Sequence, residues 1–354
     1  MKMLRIKSFI VYALTIFSLS LKAQSTLKDW QAFSENNEPV TLTEQTYKEK
    51  ACVKLDGKKE AIVINKSKNY QNFRIEFDVA AKVMAGVGFH VKNEQNYQFL
   101  YFRPGYGGTQ EAIQYIPIYN GGLSWVLYHY PIHEAKTDIA AMEWFHAAIE
   151  VRNKIMRVFV NNKKEADMTL TLIDTDTDSG NILLRSMFGE AYFANVYIQE
   201  IPNPMTDWSI SEQLPRDKTY EYTDVKKMKT WNKINQKNDE MVNLKRYFEY
   251  PNGTVFAKRT VTSEADKPQL LYFDFTGKLQ IFLNGKEVFN YAKYKLDRLN
   301  NYENCIVLDM KKGDNELTFV IEGDAFVFGK GFNSMGRFQH QNWGFIASLA
   351  DKNR

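Results

Sequence analysis

The sequence predicts an all-β protein, two tandem β-sandwich (jelly-roll) domains after a signal peptide. Three observations carry this. Short runs rich in Val, Ile, Phe and Tyr recur on both sides of mid-chain with apolar and polar residues alternating, which is the period of a half-buried strand. Gly, Asn and Asp turn residues separate the runs, and neither half looks helical. The chain has 354 residues, more than one hydrophobic core usually organises, and Ile201-Pro202-Asn203-Pro204 sets two strand-breaking prolines directly after AYFANVYIQ. The expected division is a signal peptide at 1–23 and domains at 24–200 and 205–354.

The first residues, MKMLRIKSFIVYALTIFSLSLKAQ, place Lys2, Arg5 and Lys7 ahead of an apolar run from about Phe9 to Leu21, followed by Ala23. That is the order of a secretory leader, although Leu21 is larger than the residue usual at its place in the cleavage site. The run is too short and too rich in Ser and Thr to span a bilayer, and no second apolar stretch follows it. No cysteine follows the site, so a lipid anchor there is not expected. The mature chain is expected to be exported, periplasmic or extracellular, and not membrane-spanning. Removing Lys2, Arg5, Lys7 and Lys22 leaves basic and acidic residues equal in number. A nucleic-acid partner is therefore not expected, since runs such as Lys226-Lys227-Met228-Lys229 are too short to make a basic face.

In FRIEFDV, alternation puts Phe73, Ile75, Phe77 and Val79 on one face and Arg74, Glu76 and Asp78 on the other. GVGFHV, YQFLYF, SWVLYHY, the hairpin HAAIEV-RNK-IMRVFV, NILLRS and AYFANVYI follow the same logic. Beyond the prolines come VFAKRTVT, QLLYFDF, LQIFLNGKEVF, CIVLDM and ELTFVIE, with Asn284-Gly285 as a hairpin turn because both residues tolerate positive φ. The polar segment from Lys226 to Asn243 fits either a short helix or a long loop. Cys52 and Cys305 sit in strand-like contexts and read as small core residues; in separate domains they would not bridge, and their spacing is not that of a metal site.

The order of elements in GVGFHVKNEQNYQFLYFRP, WFHAAIEVRNKIMRVFVNN and GNILLRSMFGEAYFANVYI resembles concanavalin A-like lectin/glucanase domains of the laminin-G-like type, over roughly Trp30 to Gln199. From Met205 to Leu349, FAKRTVT, LQIFLNGKEVF, LDMKKGDNELTFVIEGD and FGKGFN more weakly resemble the galactose-binding-like jelly rolls that accompany bacterial glycosidases. The resemblance implies exported modules that recognise a poly- or oligosaccharide, with co-acting glycosidases as partners, and does not imply catalysis. The family of 3-keto-disaccharide hydrolases uses the same sandwich, so a glycan-active hydrolase is the alternative; a structural envelope or adhesion subunit is the third reading.

Glucanases of this fold carry a Glu-x-Asp-x-x-Glu strand, because retaining hydrolysis needs two carboxyl groups about 5 Å apart on one face. Glu76 and Asp78 share a face, but Ala81 replaces the third carboxylate and Arg74 joins them, so the expected reading is a solvent-side charge ladder. Glu111, His129, His133 and Glu134 lie near the aromatic stretch as acid, base or ligand candidates. There is no phosphate-cradling Gly-rich loop, no Gly-x-Ser-x-Gly elbow and no His-Glu-x-x-His. Asp174, Asp176 and Asp178 precede Gly180 in a pattern that suggests calcium, yet the glycine comes one position late and Arg185 stands where the bidentate Glu belongs. The expectation is an acidic turn without metal or cofactor, with a calcium site of another kind than the EF-hand as the alternative, which the laminin-G-like resemblance allows.

The remaining candidate is YIPIYNGGLSWVLYHYP, residues 115–131. Sugars are bound by rings stacking on their apolar C–H faces, with planar Arg, Asn or Gln groups forking onto hydroxyl pairs. Tyr101, Arg103, Gln114, Tyr115, Tyr119, Asn120, Trp125 and His129 supply both kinds of group and form the expected ligand face, with no catalytic residue assigned. Read as a strand, SWVLYHY sends Trp125, Leu127 and His129 to one face and Val126, Tyr128 and Tyr130 to the other.

Overall fold

The computed structural model describes residues 27, 30–173, 177–234, 241–248, 253–296, 298–299, 304–328 and 338–351. The expected signal peptide, and Asp174 and Asp176, lie outside the described residues. The architecture is all-β, and every strand pair described is antiparallel. The chain divides into two compact units between Ile201 and Pro202. Among the described residues no helix is long and apolar enough to cross a membrane.

The first unit is a sandwich of a nine-stranded and a seven-stranded sheet. Strand Phe73–Ala81 lies inside the seven-stranded sheet, flanked by Phe145–Arg152 and Ala191–Glu200. Its Phe73, Ile75, Phe77 and Val79 are fully buried and pack with Val87, Phe89, Leu100 and Phe102 of the other sheet. The alternation of FRIEFDV thus becomes the core. Arg74 and Glu76 point outward, where Arg74 Nε donates to Glu76 Oε1 at 2.8 Å.

Strand Asn96–Phe102 differs, because both of its faces are buried. Leu100 and Phe102 enter the core, while Tyr97, Phe99 and Tyr101 join a second apolar cluster on the outer face of the nine-stranded sheet. Two glycines of the neighbouring strand Met84–Asn93 make room for these rings. A Cβ on Gly88 would come within 2.8 Å of the Tyr97 ring, and one on Gly86 within 2.0 Å of the Leu100 carbonyl oxygen. Leu123, Leu127 and Tyr128 of the following segment then pack onto the cluster from outside.

That segment departs from the sequence expectation. SWVLYHY is not a strand. A two-residue strand, Gly122–Leu123, leads into a single 3-10 turn, Trp125–Leu127, and then irregular backbone. The chain spends its hydrogen bonds locally, with Leu127 N donating to Ser124 O, Tyr128 N to Trp125 O and Ile132 N to His129 O. Pro131, in a cis peptide, has no N–H to give to a ladder. Side chains therefore do not alternate. Trp125 and Val126 both face solvent, and Leu127 and Tyr128 both turn toward the sheet.

The second unit is built around Lys267–Leu283, a 17-residue strand that merges the expected QLLYFDF and LQIFL. Its first half pairs with Asn304–Met310 and Gly344–Asp351, its second half with Lys286–Lys295 and Gly313–Glu322. The change of partners falls at Gly277, whose φ of 90° belongs to glycine, so one strand serves both layers by turning a corner there. A short helix, Tyr222–Lys227, lies mostly ahead of the Lys226–Asn243 segment that the sequence left open and reaches only its first two residues. Both cysteines are free; Cys52 is buried as expected, but Cys305 is exposed, because it falls on the outward side of its strand.

Candidate functional site

On the outer face of the nine-stranded sheet a chain of polar side chains crosses the apolar cluster. Strand Ile113–Tyr119 puts Tyr115 inward and Gln114, Ile116 and Ile118 outward. Gln114 is 3% exposed and sits opposite Tyr101 in the register. The Tyr101 hydroxyl donates to Gln114 Oε1 at 2.8 Å, and Gln114 Nε2 donates to Glu134 Oε1 at 2.6 Å. Glu134 arrives on the two-residue strand Glu134–Ala135, which pairs with the same strand. At the other end the Tyr101 and Tyr128 hydroxyls share a hydrogen bond. Burial, and next that bond, push the Tyr101 hydroxyl well above the usual phenol range, with Arg103 opposing the shift. Burial likewise raises Tyr128. Both phenols therefore stay protonated and act as donors.

Arg103 follows the strand and lies over the Tyr106 ring, 3.9 Å from its centroid, while Nη1 pairs with Glu111. Its Nε is buried with no hydrogen-bond partner among the described residues. Trp125 stands at the rim, 72% exposed, edge-on to Tyr128 at 6.2 Å. The arrangement joins an exposed indole, two phenols, an amide, a carboxylate and a guanidinium over a rigid sheet. Such a set stacks on apolar ring faces and exchanges hydrogen bonds with hydroxyl groups.

The expected ligand residues do not all lie together. Tyr101, Arg103, Gln114 and Trp125 meet in this region. Tyr115 does not: it is fully buried in the core, where its hydroxyl donates to Gln98 Oε1 and accepts from Ile173 N. Tyr119 and Asn120 sit at the hairpin end of their strand, about 17 Å from Gln114 by the rise of an extended chain. His129 is exposed in the irregular segment, and its carbonyl oxygen accepts from Ile132 N and His133 N. Tyr128, which the sequence did not single out, and Glu134, which it offered as an acid, base or ligand candidate, complete the polar chain. Their signal was register, which no local alternation reports.

A second polar cluster lies on the outer face of the seven-stranded sheet, centred on Asp78. Its carboxylate accepts from His146 Nδ1 at 2.9 Å, Lys50 Nζ at 2.8 Å and Asn195 Nδ2 at 2.7 Å. Burial alone would raise its pKa, but the three donors outweigh burial and hold the carboxyl well below the usual range. Asn195 reaches it from a β-bulge where φ is 52°. Tyr47, stacked on Tyr192 at 3.9 Å, and Trp144, 5.0 Å from Lys50 Nζ, line the same face. The expected ladder of Glu76 and Asp78 is thus two separately held carboxylates, one of them carrying an imidazole that sequence reading did not single out. Among the described residues no group of His, Cys, Asp or Glu could hold a metal ion, and Asp178 pairs with Lys154 at 3.0 Å.

The model of the 3-keto-alpha-glucoside-1,2-lyase-like domain matches residues 21–199. No curated protein matches the chain. Among solved structures, the carbohydrate binding module CBM66 from Bacillus subtilis is 17% identical, with 49% of this chain covering 96% of that one at a TM-score of 0.36. A Bacillus subtilis protein of unknown function with a galectin-like fold is 8% identical, over 49% of this chain and 90% of that one, at 0.34. Domain 4 of an extracellular arabinanase from Geobacillus stearothermophilus, solved with arabinotriose, is 13% identical, over 47% and 81%, at 0.29.

Proposed function

The chain belongs to the 3-keto-alpha-glucoside-1,2-lyase-like family through its first unit, and from that premise we propose that it binds a poly- or oligosaccharide on the outer face of the nine-stranded sheet. The observation that carries this is the buried polar chain Tyr128–Tyr101–Gln114–Glu134, set in an apolar face beneath the exposed Trp125. Buried polar networks stabilise a fold less than apolar packing of the same volume would, so one placed under an exposed ring and an arginine points to a ligand. A pyranose presents an apolar face to Trp125 and hydroxyl groups to Arg103 and the phenols. We take the protein to act after export, in the periplasm or outside the cell, where such ligands are met. The test is titration of the full chain with 3-keto-α-glucosides, their parent glucosides and neutral polysaccharides. Saturable binding that Trp125→Ala weakens supports the reading; no binding to any of them refutes it.

A second reading is lyase chemistry, and the pair Asp78–His146 favours it. A carbonyl at C3 acidifies the C2 hydrogen. A base removes that proton, its bonding pair forms the C1=C2 bond, the C1–O bond breaks, and the leaving oxygen takes a proton. With Nδ1 donating to Asp78, His146 keeps Nε2 as a base, and Lys50 beside it suits a developing enolate oxygen. Proton NMR of a 3-keto-α-glucoside incubated with the protein would show the vinylic product. Loss of that signal in His146→Ala, with binding by the Trp125 face intact, would assign the chemistry to the Asp78 face. No turnover by the wild-type chain would leave binding alone.

A further inference from the structure

The second unit has a cavity of its own. It measures about 340 Å³ and opens on the outer face of the sheet that contains the second half of strand Lys267–Leu283. The covering segment is fixed over that face by reciprocal backbone hydrogen bonds between Leu214 and Thr254, and Tyr220, whose hydroxyl donates to Pro215 O at 2.8 Å, plugs one side. The opposite wall is strand Lys286–Lys295, which presents Asn290.

The polar groups in this cavity are held in place before any ligand arrives. Glu322, 7% exposed, accepts from Lys278 Nζ at 2.8 Å, from Asp217 N at 3.0 Å and from the Tyr294 hydroxyl. Lys278 also lies 3.6 Å from Asp217 Oδ1. The cations and carboxylates thus compensate one another, which disfavours a charged ligand. Gln280 Nε2 and Asn290 Nδ2 both donate to Glu287, at 3.0 and 3.2 Å, which fixes the two amides and leaves their carbonyl oxygens as acceptors. Tyr291 stands opposite core residue Leu279 in the register and its ring lies edge-on to Phe275 at 5.5 Å, so it turns to the other face of the sheet. Thr254 is the informative residue. It lines the cavity, is 1% exposed, and its hydroxyl has no hydrogen-bond partner among the described residues. Buried hydroxyls are seldom left so, because an unmet hydrogen bond is costly in a dry setting.

We propose that this cavity is a second saccharide site, taking one or two units of a neutral oligosaccharide, with Thr254, Glu322, Lys278 and the side-chain carbonyl of Asn290 on its hydroxyl groups. The volume falls within the roughly 300–1,000 Å³ of small-ligand sites. A compensated set of donors and acceptors around a buried hydroxyl that lacks a partner among the described residues matches a ligand that is uncharged and many-hydroxylated. The proposal rests on the second unit alone and stands or falls apart from the reading of the first. With two sites on one chain, a polymer that reaches both would be held more tightly than by either.

The test uses the full chain carrying Trp125→Ala, so that the first unit's ring is absent, on an array of neutral oligosaccharides. Retention of at least one sugar is expected. Adding Asn290→Ala, which removes an acceptor carbonyl from the cavity wall, should lower its affinity about tenfold, equal to about 1.4 kcal/mol. Adding Thr254→Val, which removes the hydroxyl and keeps the shape, should weaken binding severalfold while the melting temperature holds or rises. The proposal is overturned if no neutral sugar is retained, if both variants bind as the parent does, or if binding falls only in step with thermal stability.

Discussion

Replacing Trp125 by alanine separates a ligand-stacking ring from a structural one, and the structure sets the size of the effect. The side chain is 72% exposed, so only about a quarter of its surface is removed from water. Taking roughly 250 Å² for a tryptophan and about 25 cal/mol per Å², the lost burial is worth no more than about 2 kcal/mol. Extended-chain reference areas overstate burial, so the true figure lies lower. Phe99, on the same sheet face and fully buried, supplies the benchmark. Phe99→Ala should cost about 3–5 kcal/mol. For a unit of this size each kcal/mol shifts the midpoint by about 2–4 °C. Differential scanning calorimetry of the two variants should therefore show a small shift for Trp125→Ala and a large one for Phe99→Ala. In a polysaccharide pull-down, Trp125→Ala should lose at least about tenfold in affinity. The reasoning fails if Trp125→Ala destabilises as much as Phe99→Ala, or if it binds a saccharide as tightly as the parent.

Three further outcomes are expected. Tyr101→Phe leaves Gln114 Oε1, in a residue 3% exposed, without its donor, whereas half-buried Tyr128 regains water; urea denaturation should register about 1–2 kcal/mol of lost stability. Asp78 has a folded-state pKa below its unfolded value, so its stabilisation is fully present above the unfolded pKa and is lost as pH falls toward the folded one. The stability gap between wild type and Asp78→Asn should accordingly shrink as pH falls below about pH 4; a gap that does not shrink there would mean that the carboxylate's partners do not act through its charge. Gly86→Ala would bring Cβ within 2.0 Å of the Leu100 carbonyl oxygen, which is backbone and cannot swing away, so a loss of about 3 kcal/mol or more and a lower melting temperature should follow.

The all-β class was legible because alternation is a local signal, and FRIEFDV shows how directly it maps onto a strand whose four apolar residues are all fully buried. The same signal misled at SWVLYHY. Its residues suit a strand, but the turn hydrogen bonds from Ser124 to His133 and the missing N–H of Pro131 consume the backbone groups that a ladder would use. The Asp78 cluster was legible only in part. Alternation places Glu76 and Asp78 on one face, whereas Lys50, His146 and Asn195 reach Asp78 from strands far away in sequence, and Asn195 does so only because a bulge re-aims it. The polar chain under Trp125 was hidden for the same reason. Gln114 meets Tyr101 through strand register, and Glu134 meets Gln114 through a two-residue pairing.

The two polar clusters of the first unit lie on opposite outer faces of one sandwich, and this limits how they can share a task. Packed sheets stand about 10 Å apart, and outward side chains add to that separation, so one sugar ring cannot touch both Trp125 and His146. The two groups are therefore alternatives for any single chemical step, and substitutions on the two faces should act independently. Their electrostatics also differ in kind. The Tyr101 and Tyr128 phenols are pushed up and stay protonated, with Tyr101 donating to Gln114 and Tyr128 to Tyr101, so they give no base. Asp78 is pushed down and stays ionised, which suits orienting His146 and stabilising it once it has taken a proton. Under the proposed elimination reading a base at C2 is required, and of the two faces it is that of Asp78 and His146, with Trp144 and Tyr47 beside them, that has a group to serve as one. Under the proposed binding reading the face of Trp125 would hold a saccharide by itself, so removal of either face's key residue should leave the other's effect unchanged.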